Sequence, residues 1–176
     1  MIHKEIDIKI DIQQLLDDVT KISNVAGWKL NQIALQYHNE IDWHSGVGKS
    51  DFLSGNEEEY IHYHPFLDGM YIKELLESFD FPVAHSRIML LPPKTCYTTH
   101  VDYYTRYHIP VTSKPLQTFM LFPDKGEILR MYPGKAYWTN TYELHNFVNG
   151  TYEDRIHIVF NSALEKKNLD NPYLSM

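Results

Sequence analysis

Apolar residues recur at helical spacing at Ile12, Leu15, Leu16, Val19 and Ile22. Asp11 stands just before them and Gln14 three residues after it, so the pattern predicts a helix opened by a capping box. A second amphipathic stretch over 66–79 predicts another helix that stops before Pro82. Between the two, 28–36 reads as a strand. Residues 46–59 are polar, contain glycine and lack periodicity, so they read as a loop. Such a loop is either a plain surface connection or a lid over a site, and both readings are open.

From Ser86 the texture changes. Runs rich in β-branched and aromatic residues alternate with turn signals such as Pro92-Pro93, Pro133-Gly134 and Asn149-Gly150. They predict strands at 87–91, 97–101, 106–111, 117–122, 127–132, 135–139, 144–148 and 155–161. About eight short strands in roughly 75 residues indicate a sandwich or barrel. The expected fold is therefore mainly β, with flanking N-terminal helices. No repeat or low-complexity segment interrupts it. The expectation is one domain, with helical support over 1–82, a β core over 83–163 and a tail over 164–176.

The 176 residues suit a single core, and 43% of them are hydrophobic. A formal charge of −7 speaks against nucleic acid as a partner, because phosphate binding needs clustered Lys and Arg. No segment is long and apolar enough to span a membrane, and the start, MIHKEIDIKIDI, lacks the apolar run of a signal peptide. One cysteine, Cys96, cannot build a disulfide framework, and a small buried filler is its expected role. These features lead us to expect a cytoplasmic protein. Thirteen Tyr suit pocket walls, since the ring is apolar and the hydroxyl polar.

Ten histidines give the first chemical hint. In His100-Val101-Asp102, an imidazole and a carboxylate stand two residues apart, and on a strand such residues share a face. A third ligand must come from elsewhere, and His145 is the best candidate. Two His and one carboxylate leave three positions of an octahedral metal open, whereas a structural zinc site leaves none. Arg155 follows His145 by ten residues, on the final predicted strand. If it faces inward it needs an anion, and a bound dicarboxylate offers one in two-pronged geometry. If it faces outward, Glu153 or Asp154 would pair with it.

The segments RIMLLPPKTCYTTHVD, RYHIPV and HNFVNGTYEDRIHIVF resemble the aspartyl/asparaginyl β-hydroxylase-type, proline-hydroxylase-like branch of the 2-oxoglutarate- and iron(II)-dependent dioxygenases. The resemblance covers 86–161 and implies a double-stranded β-helix, or jelly-roll, core. It implies iron held by His100, Asp102 and His145, and 2-oxoglutarate gripped through its distal carboxylate by Arg155. Arg106, His108 and His157 match positions near that cosubstrate. Where relatives often have glycine after the paired prolines, this chain has Lys94. The presence of Asp102 points away from halogenation, for which related enzymes replace the carboxylate with a small residue. The implied activity uses O₂ to hydroxylate an unactivated C–H bond of an amino acid, peptide or protein side chain, releasing succinate and CO₂. It needs no protein acid or base.

Other residues carry weaker signals. Tyr103, Tyr104 and Arg87 are candidates for substrate contact. Tyr97 could line the pocket; Met120, Met131 and Trp138 read more naturally as core. His62 and His64 form a second spaced pair, but no third ligand lies near them in sequence. His44 and Trp43 read equally as substrate contacts or surface residues, and the acidic run 57–59 as a solvated face. Two alternatives use the same residues differently. One is a metal-binding jelly roll acting as a sensor or binding module without turnover; the other is a cupin-type enzyme needing no cosubstrate, which leaves Arg155 without a ligand.

Overall fold

The computed structural model describes residues 1–48 and 56–172. The chain forms two compact units that interleave along the sequence. The first comprises Met1–Lys9, Leu90–His157 and the residues from Lys167 onward; the second comprises Ile10–Met89 and Ile158–Lys166.

The first unit is built from strands. β1 (His3–Ile6) pairs antiparallel with β10 (Ala136–Thr139), which pairs with β7 (Arg106–Thr112). The order β1-β10-β7 continues to β12 (Arg155–Ser162), whose first three residues belong to this unit. A second sheet runs β6-β11-β8-β9, from β6 (Thr95–Cys96), β11 (Asn146–Asn149), β8 (Thr118–Phe122) and β9 (Glu127–Leu129). Alternation fixes the inner faces: in β8 Thr118, Met120 and Phe122 are buried while Phe119 and Leu121 are not. Met120, Phe122, Leu129 and Phe147 from this sheet meet Tyr137 from the other, with Leu91 and Met131 completing a buried cluster. Its apolar burial is the main stabilising term for this unit.

The second unit holds both α-helices found among the described residues. α1 (Ile12–Ala26) buries Leu15, Val19 and Ile22 at the expected spacing. Asp11 caps it, accepting from the amides of Gln13 and Gln14. The capping box is modified: the Gln14 side chain donates to the Asp11 carboxylate, and the Asp11 amide donates to the Tyr71 hydroxyl. α2 (Tyr71–Glu77) is shorter than expected, because 65–67 form a separate 3₁₀ turn. Its own N-cap, Met70, offers no side-chain acceptor; the buried Asp18 of α1 accepts from the Ile72 amide instead. The stretch read as one strand is shorter and interrupted: Leu30 and Asn31, both at positive φ, precede β2 (Gln32–Ala34), and Leu35 separates β2 from β3 (Gln36–Tyr37). β3 pairs with β4 (His62–Tyr63), and β5 (Val83–Leu91) lies between β12 and β2.

Several expectations need correction. No strand covers 97–101; β6 ends at Cys96, and His100 rejoins the sheet only through an isolated bridge to His145. Cys96 is exposed. The acidic run is not all solvated: Glu57 is buried and its Oε2 lies 3.0 Å from Nδ1 of the buried His85, whose Nε2 is 2.9 Å from the Gly46 carbonyl. Gly46 has φ +69° and no room for a side chain, since a Cβ would sit 2.7 Å from the Tyr60 ring. The lid reading of 46–59 falls largely on 49–55, outside the described residues.

Lys94 adopts φ +55°, the left-handed conformation in which glycine is unstrained. The turn thus keeps the shape glycine would allow, while the Lys94 ammonium reaches the Gly150 carbonyl and the Tyr152 ring. Both contacts are exposed and contribute little. Lys94→Gly should therefore raise stability by ~1 kcal/mol, and Lys94→Val should lower it by about 1–2 kcal/mol, as read from urea unfolding. Equal stabilities for both variants would contradict this account.

Candidate metal centre

His100, Asp102 and His145 each offer a ligand atom, and those atoms all lie within 4.8 Å of one another. The mechanism of assembly differs from the strand argument. His100 and His145 face each other as a hydrogen-bonded bridge pair, with amide–carbonyl bonds of 3.0 and 2.9 Å. This sets the imidazole centroids 4.4 Å apart. Asp102 is brought in by its own amide, which donates to the Thr141 carbonyl. Its Oδ1 lies 4.0 Å from His100 Nε2, and its Oδ2 3.9 Å from His145 Nε2.

Backbone carbonyls select the tautomers. His100 Nδ1 lies 2.7 Å from the Thr98 carbonyl, and His145 Nδ1 lies 2.9 Å from that of Glu143. A carbonyl only accepts, so each Nδ1 carries the proton and each Nε2 presents a lone pair to the common centre. Burial pushes the His145 imidazole down to about 4, against the opposing pull of Asp102, so it is neutral at pH 7. Arg106 Nε donates to Asp102 Oδ2 at 3.0 Å. That bond fixes the orientation of the carboxylate. Two imidazoles and one carboxylate suit a divalent first-row metal with open positions, so the donor set fits iron(II).

Arg155 belongs to the same unit and is 3% exposed. Its Nε and an Nη lie 3.0 and 2.6 Å from the two ring nitrogens of His157, and its guanidinium covers the Phe147 ring at 3.8 Å. Among the described residues, no carboxylate lies within ion-pair distance of it; Glu153 pairs with Lys114. The outward-facing alternative does not hold. Burial, opposed by Tyr97, pulls the Arg155 guanidinium down to about 9, which leaves a cation at pH 7 in apolar surroundings with no anion. His108, 4% exposed, has no hydrogen-bond partner on either ring nitrogen among the described residues. Its ring is 5.3 Å from Phe147 and 6.1 Å from His157. Burial first, then Arg155, drives both His108 and His157 well below 6.5. Among its described residues the unit therefore holds a buried guanidinium with no carboxylate partner and a buried imidazole with no hydrogen-bond partner, together with three converging ligand atoms. A small dianion with a metal-chelating end meets both demands.

The remaining candidates are placed as follows. Tyr103 is half-buried with Lys167 over its ring at 4.3 Å, and Tyr104 is buried. Met120 and Met131 are core, and Tyr97 packs against the same cluster. Arg87 lies in the second unit, where its Nη1 donates to Gln32. His64 there stacks on Trp43 at 3.6 Å, and His62 tilts against Tyr37. Among the described residues, the group of side chains that could hold a metal is the one around His145. Thr98, Thr141 and Glu143 act through backbone carbonyls, which any residue supplies, so no sequence signal could have marked them.

No known family profile matches the chain, and no curated protein does. Solved structures do. The viral collagen prolyl hydroxylase of Paramecium bursaria Chlorella virus-1, in its 2-oxoglutarate complex, matches with a TM-score of 0.55 at 11% identity, over 92% of this chain and 94% of that one. A truncated form of the same enzyme matches with a TM-score of 0.55 over 94% and 91%. A cupin domain from Bordetella pertussis Tohama I matches over 48% of this chain and 86% of its own, at 15% identity and a TM-score of 0.40. Among the described residues the fold is mainly β, with cupin or jelly-roll sheets and two α-helices, one of them N-terminal. No helix among the described residues is long and apolar enough to cross a membrane.

Proposed function

We propose that this protein is a non-haem iron(II), 2-oxoglutarate-dependent dioxygenase that hydroxylates an unactivated C–H bond of an amino acid, peptide or protein side chain. The observation that carries this reading is the buried Arg155, which has no carboxylate partner among the described residues, in the unit that also holds the His100, Asp102 and His145 ligand atoms. A module that binds only a metal gives that buried cation no role. The full-length likeness to a prolyl hydroxylase supports the fold, and its name keeps peptidyl side chains among the substrates.

His100, Asp102 and His145 would hold the metal on one face and leave the opposite face for ligands. The bound iron would supply O₂ activation coupled to conversion of 2-oxoglutarate to succinate and CO₂. Arg155 would pair with the distal carboxylate, and the chelating end of the cosubstrate would point at the ligand atoms. His157 holds the guanidinium against Phe147 and so fixes its direction. His108 would give or accept a hydrogen bond to the same ligand. Arg106 would orient the Asp102 carboxylate through its hydrogen bond. No residue needs to take or deliver a proton to substrate.

The test is anaerobic addition of iron(II) and 2-oxoglutarate. A weak visible charge-transfer band should appear, and air should then yield succinate. In Asp102→Ala both should fall by about 100-fold or more, because one ligand is gone. No band and no succinate with the native protein would end this reading.

A further inference from the structure

The chain crosses the ligand-bearing loops once more, after β12. Within the first unit, the Asn168 amide donates to the Tyr103 carbonyl at 2.9 Å, and Asn171 Nδ2 donates to the Tyr142 carbonyl at 2.8 Å. Lys167 covers the Tyr103 ring at 4.3 Å. Asn171 is 6% exposed, although its neighbours Asp170 and Pro172 are exposed. A polar side chain is buried in such a segment only when its hydrogen bonds offset desolvation. The Asn168 side chain accepts from the Asp170 amide, which shapes the turn that delivers Asn171.

The two acceptors are not arbitrary backbone. Tyr103 directly follows the ligand Asp102. Tyr142 precedes Glu143, whose carbonyl receives His145 Nδ1. The two loops are already tied by Asp102 N–H to the Thr141 carbonyl and by the Thr141 hydroxyl to the Tyr104 carbonyl. From Asn171 a chain of contacts therefore runs through the Tyr142 and Glu143 carbonyls to the His145 ring. A parallel one runs from Asn168 through Tyr103 to Asp102.

We propose that the segment Lys167–Asn171 is part of the metal centre, and that Asn171 is a positioning residue that holds His145 and Asp102 in ligating geometry. This rests on the metal-centre reading above. Groups that orient metal ligands without touching the metal typically change its affinity by about 10–100-fold when removed. By reciprocity, metal binding must tighten the docking of this segment by the same factor.

Cobalt(II) titration of the full-length protein, followed by its d–d absorption, gives the affinity directly and without turnover. Asn171→Leu keeps side-chain size and loses the donor. It should weaken cobalt binding by about tenfold at unchanged urea midpoint of the metal-free protein, and Asn171→Gln, which keeps an amide donor, should recover most of the loss. Native affinity in Asn171→Leu would overturn the proposal. A second measurement does not depend on any variant: cobalt should slow hydrogen exchange of the Asn168 amide by about tenfold in the native protein. Exchange unaltered by bound cobalt would also overturn it. A native protein that binds no cobalt would instead overturn the metal-centre reading, which separates the two failures.

Discussion

Arg155→Met should make the metal-free protein more stable while it removes 2-oxoglutarate binding. The two effects have one cause. The guanidinium is 3% exposed, rests on Phe147 and His157, and has no carboxylate within ion-pair distance among the described residues. Its ionisation is pulled down to about 9 by burial, which is the signature of a cation held against its solvation preference. Replacing such a charge with an apolar chain of similar length gains about 1–2 kcal/mol, even after His157 loses its partner. The same change deletes the two-pronged grip on the distal carboxylate. That costs about 100-fold or more in 2-oxoglutarate KM, while the cobalt affinity of the triad stays near native. Urea unfolding of the metal-free variant and succinate formation against 2-oxoglutarate concentration measure the two sides. A variant that is both less stable and unaltered in KM would show that Arg155 is a structural cation after all.

The metal-free protein should also lose stability steeply in mild acid. His145, His108 and His157 are all held neutral by burial, His145 at about 4 and the other two well below 6.5. Their folded values lie under the unfolded one, so the unfolded chain binds protons that the folded chain refuses. The stability they contribute is complete above pH 6.5 and is lost as pH falls toward the folded values. A drop to about 4 is worth ~3 kcal/mol for His145 alone once it is fully expressed. Urea midpoints of chelator-treated protein should be level from pH 8 to 7 and fall progressively from about pH 6.5 to 5. His108→Phe should flatten part of that slope, because its ring nitrogens have no partner among the described residues and the substitution conserves an aromatic shape. A midpoint that does not move down to pH 5 would be incompatible with three buried neutral imidazoles.

The grouping of His100, Asp102 and His145 was legible beforehand, though partly for a reason that the fold does not use. His-x-Asp pointed to two ligands on one strand face, yet His100 is not in a named strand. What joins the ligands is the antiparallel bridge between His100 and His145 and the bond from Asp102 to Thr141. The residue types survived the wrong geometry because a metal centre restricts donor chemistry more tightly than backbone path. Arg106 shows the opposite case. Its spacing from Asp102 carried no hint that the guanidinium would lie on that carboxylate. Glu57 was misjudged because two further glutamates follow it, and only the folded chain shows His85 waiting in the interior.

By itself the sequence settled what local pattern can settle. Period-2 runs between turn residues specified the β-rich half, and helical spacing behind Asp11 specified the first helix, because each depends on neighbours a few residues away. It also marked His100, Asp102 and His145, whose ligand atoms the fold brings within 4.8 Å of one another. Tertiary structure decided the rest. It put Arg155 inside rather than on the surface, left that charge without a carboxylate, selected the imidazole tautomers through main-chain carbonyls, and laid Lys167–Asn171 across the ligand loops. These are contacts between backbone atoms or between residues dozens of positions apart. Backbone atoms are the same in every residue, so such contacts leave no mark on the order of side chains along the chain.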